Sequence, residues 1–90
     1  MDYEWDGKKN DANIVKHGFT MAQGIAVWGD DKRTEYPDNR KDYRECRFIT
    51  VGKHDGTILS VCWTKRKNGI RIISVRLASR KERRLYNGNS

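Results

Sequence analysis

The chain has 90 residues, 36% hydrophobic and 34% charged, with 19 Lys and Arg against 12 Asp and Glu, a formal net charge of +7. That length fits one compact domain over 1–90 and leaves no room for a second, and three Trp, four Tyr and two Phe argue against a disordered chain. No apolar run approaches the roughly 20 residues of a membrane span, and no apolar stretch follows the N-terminus as in a secretory leader. A cytoplasmic protein with no membrane association is expected.

In chain order, Asp6 is placed to N-cap a helix from Gly7 to His17, with Gly18 as its stop. Thr20 and Gln23 form a capping-box pattern that opens a second helix, with Met21, Ile25 and Trp28 on one apolar face. A short strand over Arg33–Tyr36 leads into a loop holding the only proline. Three strands rich in Val, Ile and Thr follow at Glu45–Val51, Thr57–Thr64 and Ile70–Leu77, with Asp55-Gly56 and Asn68-Gly69 as hairpin turns. Ser79 opens a last helix, with Glu82 at its capping-box position. The expected architecture is α+β: two N-terminal helices, an antiparallel meander of about four strands and a C-terminal helix.

The charge is unevenly spread. Residues 61–90 hold nine basic residues and only Glu82 as an acid, so that third carries +8 and the other sixty residues −1. Such asymmetry fits a protein that meets a polyanion, or a solvated basic tail. Cys46 and Cys62 have no zinc spacing and are too few for a disulfide scaffold, so buried reduced thiols are expected.

Strand pairing converts the outline into chemistry. A two-residue Asn68-Gly69 turn pairs Lys67 with Ile70 and sets Arg76 opposite Val61 and Ser74 opposite Trp63. A five-residue connection from Gly52 to Gly56 pairs Val51 with Thr57, and so sets Arg47 opposite Val61, Glu45 opposite Trp63 and Cys46 opposite Cys62. Glu45, Arg47, Trp63, Ser74 and Arg76 then share one sheet face, with Trp63 free to stack on a base. Cys46, Phe48, Cys62, Ile73, Val75 and Leu77 form the core on the other. A solvated face of cross-strand ion pairs is the simpler alternative.

Several segments taken in order resemble one family. They are Tyr3-Glu4-Trp5-Asp6, Lys9, Asn13, Lys16-His17-Gly18, Ala26-Val27-Trp28 with Asp30, and Glu45-Cys46-Arg47-Phe48 before Gly52. Ile70-Arg71-Ile72-Ile73-Ser74, Arg76, Ala78, Arg80-Lys81-Glu82-Arg83-Arg84 and Tyr86 complete the set. Together they resemble the BrnT family of bacterial type II toxins over nearly the whole chain. Val75 and Leu77 depart from the family pattern, Leu77 standing where a second basic residue is common. The resemblance implies a RelE-like ribonuclease fold and a toxin that cuts messenger RNA with no metal or other cofactor. It also implies a BrnA-like antitoxin that covers the active face and supplies DNA binding, so that DNA is met only indirectly.

Metal-free cleavage by 2′-OH attack needs a base, a cation for the developing phosphorane and an acid for the leaving oxygen. Arg47 and Arg76 are the first candidates for the cation, because a guanidinium grips phosphate bidentately, with Arg80 next. Glu45 is a candidate base if its surroundings raise its pKa, and otherwise balances the arginines. His17, at a helix C-terminus, is the second proton carrier or a structural residue. Lys9, Asn13 and Lys16 share a helical face and are candidate RNA contacts, as are Trp63, Arg71, Arg83 and Tyr86. Glu82 is assigned to the capping box alone. The scarcity of histidine and Leu77 favour a competing class, a non-catalytic RNA- or antitoxin-binding module. A direct DNA-binding regulator lacks a helix-turn-helix signature.

Overall fold

The computed structural model describes residues 2–40 and 44–88. Its elements are β1 (Asp2–Glu4), α1 (Gly7–His17), α2 (Met21–Gly24), β2 (Thr34–Pro37), β3 (Arg47–His54), β4 (Thr57–Arg66), β5 (Gly69–Leu77) and α3 (Arg80–Gly88). The strands form one mixed sheet in the order β1-β5-β4-β3-β2.

This corrects the expected meander in two respects. The fifth strand, β1, lies parallel to β5, with Asp2, Tyr3 and Glu4 beside Gly69, Ile70 and Arg71. Its three residues carry no apolar alternation, so only the neighbouring strand defines it. Gly69 permits the approach, because a Cβ there would stand 1.9 Å from the Asp2 carbonyl oxygen. The second correction concerns the helix after Thr20. Its capping box forms, yet α2 is a single turn that tightens at once into a 3-10 turn, Ile25–Gly29. One N-terminal helix of length remains, not two. Gly24 and Gly52 show why this segment sits so close: added Cβ atoms would meet Val75 at 2.6 Å and Val27 at 2.8 Å.

Helix α1 matches its expected span. The Asp6 carboxylate accepts from the amides of Lys8 (2.8 Å) and Lys9 (3.1 Å), and Gly18 closes it in the left-handed region at φ 80°.

The register of the first hairpin differs from the expected one. Asp55 and Gly56 both adopt positive φ, 49° and 78°, so they make a two-residue turn and β3 runs on to His54. The shift is an odd number of residues, which exchanges the faces. Phe48 now lies beside Trp63, Ile49 beside Cys62 and Arg47 beside Thr64. The second turn also differs from the expected one. It falls on Lys67-Asn68, so Arg66 rather than Lys67 opens the pairing, with Gly69, and Trp63 lies beside Ile72. A further register shift at Cys62/Trp63 sets Arg76 beside Ser60. Arg47 and Arg76 are therefore not neighbours across Val61. Four residues of β4 separate their partners, about 13 Å along the strand.

Each sheet face has its own apolar cluster. Under α1 and α2 lie Met21, Val27, Leu59, Val61, Trp63, Ile70, Ile72 and Val75, with Tyr3, Trp28 and Phe48 packed against them. The α3 face holds Ile49, Val51, Cys62, Ala78 and Tyr86, with Tyr36, Ile58 and Ile73 alongside. Trp63 belongs to the first core at 7% exposure, not to a solvent-facing platform, while Leu77, expected inside, is 57% exposed. Cys62 is buried and Cys46 exposed, and both thiols are free.

Candidate active site

Among the described residues, the edge of β5 beyond Arg71 has no strand partner. Unpaired peptide groups there would be costly if buried. Asn13, on the inner side of α1, closes that edge. Its Oδ1 accepts from the Val75 amide (3.0 Å), and its Nδ2 donates to the carbonyls of Val75 and Phe19 (2.8 Å each). Asn13 is therefore the clamp holding α1 against the sheet, at 5% exposure, rather than an RNA contact. Its spacing, on the same helical face as Lys9 and Lys16, carried no signal of this burial.

The clamp leaves a shallow cleft of about 210 Å³ between α1 and the β5 edge, lined by Lys9, Lys16, His17, Ile73 and Ser74 among others. Burial first, then the charges of Lys16 and Arg76, lower the His17 pKa below its ordinary 6.5. The imidazole is thus neutral at pH 7 and able to accept a proton. Arg76 follows Ser74 by two residues on β5, beside the cleft. Lys9, Lys16 and His17, candidates from sequence, line one cleft.

Arg76 is fixed from behind by Glu82. Nη1 donates to Glu82 Oε1 at 2.7 Å and Nη2 to Oε2 at 3.2 Å, while Nη1 also reaches the Leu77 carbonyl at 3.2 Å. Glu82 additionally accepts from the Ser60 hydroxyl (2.9 Å), the Ser79 amide (2.8 Å) and the Tyr36 hydroxyl. Burial alone would raise its pKa. The Arg76 guanidinium, the Ser79 amide and the two hydroxyls outweigh that and hold it at about 2. Burial and the adjacent carboxylate push the Tyr36 hydroxyl upward in turn. The capping box is present, but it is only part of what Glu82 does. One acid within a basic run was the available signal, and the hub became visible only once Tyr36 and Ser60 were placed beside it.

A second polar group occupies the other end of this face. The Arg47 Nε donates to Glu45 at 3.0 Å, and Arg66 Nη1 lies 3.7 Å from the same carboxylate. The Arg47 hydrogen bond lowers the Glu45 pKa, opposite to the shift a general base requires. Nearby, Asp38 is buried and receives both Nε and Nη2 of Arg40 at 2.7 and 2.8 Å. Burial, with Asp38 alongside, pushes the Cys62 thiol up to about 11, which makes it a poor nucleophile.

The remaining candidates fall elsewhere. Arg71 lies near the other end of β5, 4.0 Å from both Glu4 and Asp6. Arg80 is exposed on the first turn of α3, and the exposed Arg83 reaches the Ala78 carbonyl at 3.3 Å. Trp63 donates its indole N–H to Thr50 at 2.8 Å and cannot stack on RNA. Tyr86 is 5% exposed and donates to Asp30 at 2.5 Å, which with burial raises its pKa to about 12. It packs α3 onto the sheet instead of presenting a free ring. Among the described residues no three His, Cys, Asp or Glu side chains gather in the manner of a metal site, and no helix is long and apolar enough to cross a membrane.

A small basic α+β domain with an imidazole and two lysines around one cleft, and a braced arginine on the adjoining strand, is equipped to bind phosphate and move a proton. The family model for the ribonuclease toxin, BrnT, of type II toxin–antitoxin systems matches residues 5–82, and the chain belongs to that family. Membership makes it a ribonuclease toxin, with RNA as substrate and an antitoxin protein as partner. No curated protein matches the chain.

Proposed function

We propose that this toxin is a metal-independent endoribonuclease that cuts messenger RNA in the cytoplasm, with the α1–β5 cleft as its active site. Neutral His17 takes the proton from a ribose 2′-hydroxyl, and the resulting oxyanion attacks the adjacent phosphorus. Arg76 balances the charge that develops on the non-bridging oxygens, where a pre-positioned guanidinium counts for most. The P–O5′ bond breaks, the leaving oxygen takes a proton from solvent, and a 2′,3′-cyclic phosphate remains. Lys9 and Lys16 hold flanking phosphates, while Arg80 and Arg83 extend the basic track along α3. Arg47 contacts RNA further along the same face, with Glu45 as its charge balance. A BrnA-like antitoxin with an acidic surface would mask this track and carry the DNA-binding function.

The observation that carries the reading is a cleft lined by His17, Lys9 and Lys16, with Arg76, braced by Glu82, two residues beyond Ser74 of its wall. Arg76→Ala is the direct test, because Glu82 keeps three other donors. Cleavage of a defined messenger in excess EDTA should fall by about 10²–10³-fold, the scale of one lost oxyanion-type donor. Growth arrest on induction should disappear in parallel. Wild-type cleavage by Arg76→Ala would remove Arg76 from the site, and activity abolished by EDTA would remove the metal-independent step.

A further inference from the structure

We propose that a groove on the tryptophan face of the sheet, separate from the α1–β5 cleft, is a guanine-binding subsite. The groove has a volume of about 430 Å³, and its lining includes Trp28, Arg33, Glu35, Trp63, Lys65 and Arg66. Arg33 and Lys65 on its rim suit a phosphate group, while the Arg66 guanidinium turns away to Glu4 and Glu45. Its wall is aromatic and rigid: the half-buried Trp28 ring meets Trp63 edge-on at 5.8 Å and Tyr3 at 5.4 Å. A base laid against Trp28 gains stacking energy without ordering a mobile ring.

Glu35 gives the groove its selectivity. It stands on β2 beside Thr50 of β3 and therefore points to the tryptophan face. The fully buried Thr50 hydroxyl accepts the Trp63 indole N–H at 2.8 Å and so directs its single proton to the Glu35 carboxylate at 3.0 Å. The carboxylate is thereby oriented, with one oxygen left for a ligand. A carboxylate accepts and does not donate. Guanine alone among the four bases offers two adjacent donors, N1–H and N2–H, on its Watson–Crick edge. Adenine and cytosine place an acceptor beside their donor, and uracil flanks its one N–H with carbonyls. Aromatic wall, acceptor-only edge and cationic rim together describe a guanosine phosphate, either free or within single-stranded RNA. The RNA source rests on the ribonuclease reading above, whereas the guanine chemistry does not.

The test uses the three tryptophan indole N–H signals of the full-length protein in ¹H–¹⁵N spectra. The Trp28 signal should shift with guanosine monophosphate at a concentration about tenfold below that needed for the adenosine, cytidine or uridine analogues. Glu35→Gln, which keeps an acceptor for Thr50, should erase that preference while leaving the rest of the spectrum in place. A 2′-O-methylated UUGUU pentamer, which cannot be cut, should reproduce the shift where UUAUU does not if RNA is the source. A shift with the mononucleotide alone identifies the free nucleotide instead. Equal response to all four nucleotides, or none, with RNA cleavage intact overturns the subsite and leaves the nuclease standing. A guanine-selective shift in a protein that cuts no RNA overturns the nuclease and leaves the subsite.

Discussion

The two faces of the sheet are built on opposite principles. Beneath α1 and α2, Met21, Val27, Val61 and Val75 are all at 0% exposure, and Tyr3, Trp28, Trp63 and Phe48 form a continuous aromatic contact. Its buried polar residues, Asn13 and Thr50, are each consumed by hydrogen bonds within the fold. The α3 face is apolar only where Tyr86 and Ala78 cover Ile49 and Val51. Elsewhere it buries Asp38, Ser60 and Glu82, which bind arginines and hydroxyls. Burying charge costs desolvation that an apolar packing would avoid, so such a network contributes geometry more than stability. One face holds the domain together and the other holds its arginines in position.

The sharpest way to break this division is to damage the apolar face. Trp63→Ala should cost about 3–5 kcal/mol, the usual range for deleting a buried aromatic side chain. The indole also satisfies Thr50, so the deletion leaves that hydroxyl without its donor. For a domain of this size such a loss approaches its whole stability. Urea unfolding, or failure to purify folded protein, measures it. A loss near 1 kcal/mol would mean that the α3 face shares the load.

Next in size is the acid response of the opposite face. Glu82 is held at about 2 in the fold against an ordinary value of 4.5. Its contribution is therefore complete above pH 4.5 and is lost as pH falls through 2. The linkage amounts to on the order of 3 kcal/mol. Glu82→Gln should forfeit a similar amount at pH 7 and then show a much flatter stability between pH 5 and 2 than the wild type. Urea midpoints at pH 7, 4 and 2.5 decide the matter. Parallel acid losses in both proteins would show that the carboxylate's charge does not organise this face.

The same contrast explains what could be read without coordinates. Helix α1, the three long strands and the Asp55-Gly56 turn were legible because caps, an Asp-Gly pair, and runs of Val, Ile and Thr act locally. The second turn falls on Lys67-Asn68, one residue ahead of the Asn-Gly pair that marked it. The register was not legible. Whether Asp55-Gly56 closes two residues or five depends on the left-handed backbone at both positions, and the odd difference moved Trp63 from solvent to core. Strand β1 depends on an absent Cβ at Gly69, and the close seat of the segment after Thr20 depends on absent Cβ atoms at Gly24 and Gly52, against Val75 and Val27. Around the cleft, residue types singled out Lys9, Lys16, His17 and Arg76 as groups to examine. They could not separate the exposed lysines from Asn13 between them, nor show that Glu82 serves the sheet as well as its own helix.

The smallest expected effect tests whether the boundary between the two faces, at the β5 edge, meets RNA. Lys9 and Lys16 are exposed on α1, so their pull on phosphate is strongly screened by salt. Each phosphate neutralised on a single strand contributes about −0.7 to the slope of log K against log salt. Lys9→Ala and Lys16→Ala should therefore each flatten that slope by about 0.7 for an uncleavable RNA, and the double variant by about 1.4. Lys32→Ala, on an exposed loop outside the cleft, should leave it unchanged. The slope discriminates better than the affinity does, because a structural disturbance of α1 weakens binding at every salt concentration without altering the number of ions released. If all three variants share the wild-type slope, RNA does not cross α1, and the nucleic-acid track lies wholly over the α3 face with Arg47, Arg76 and Arg80.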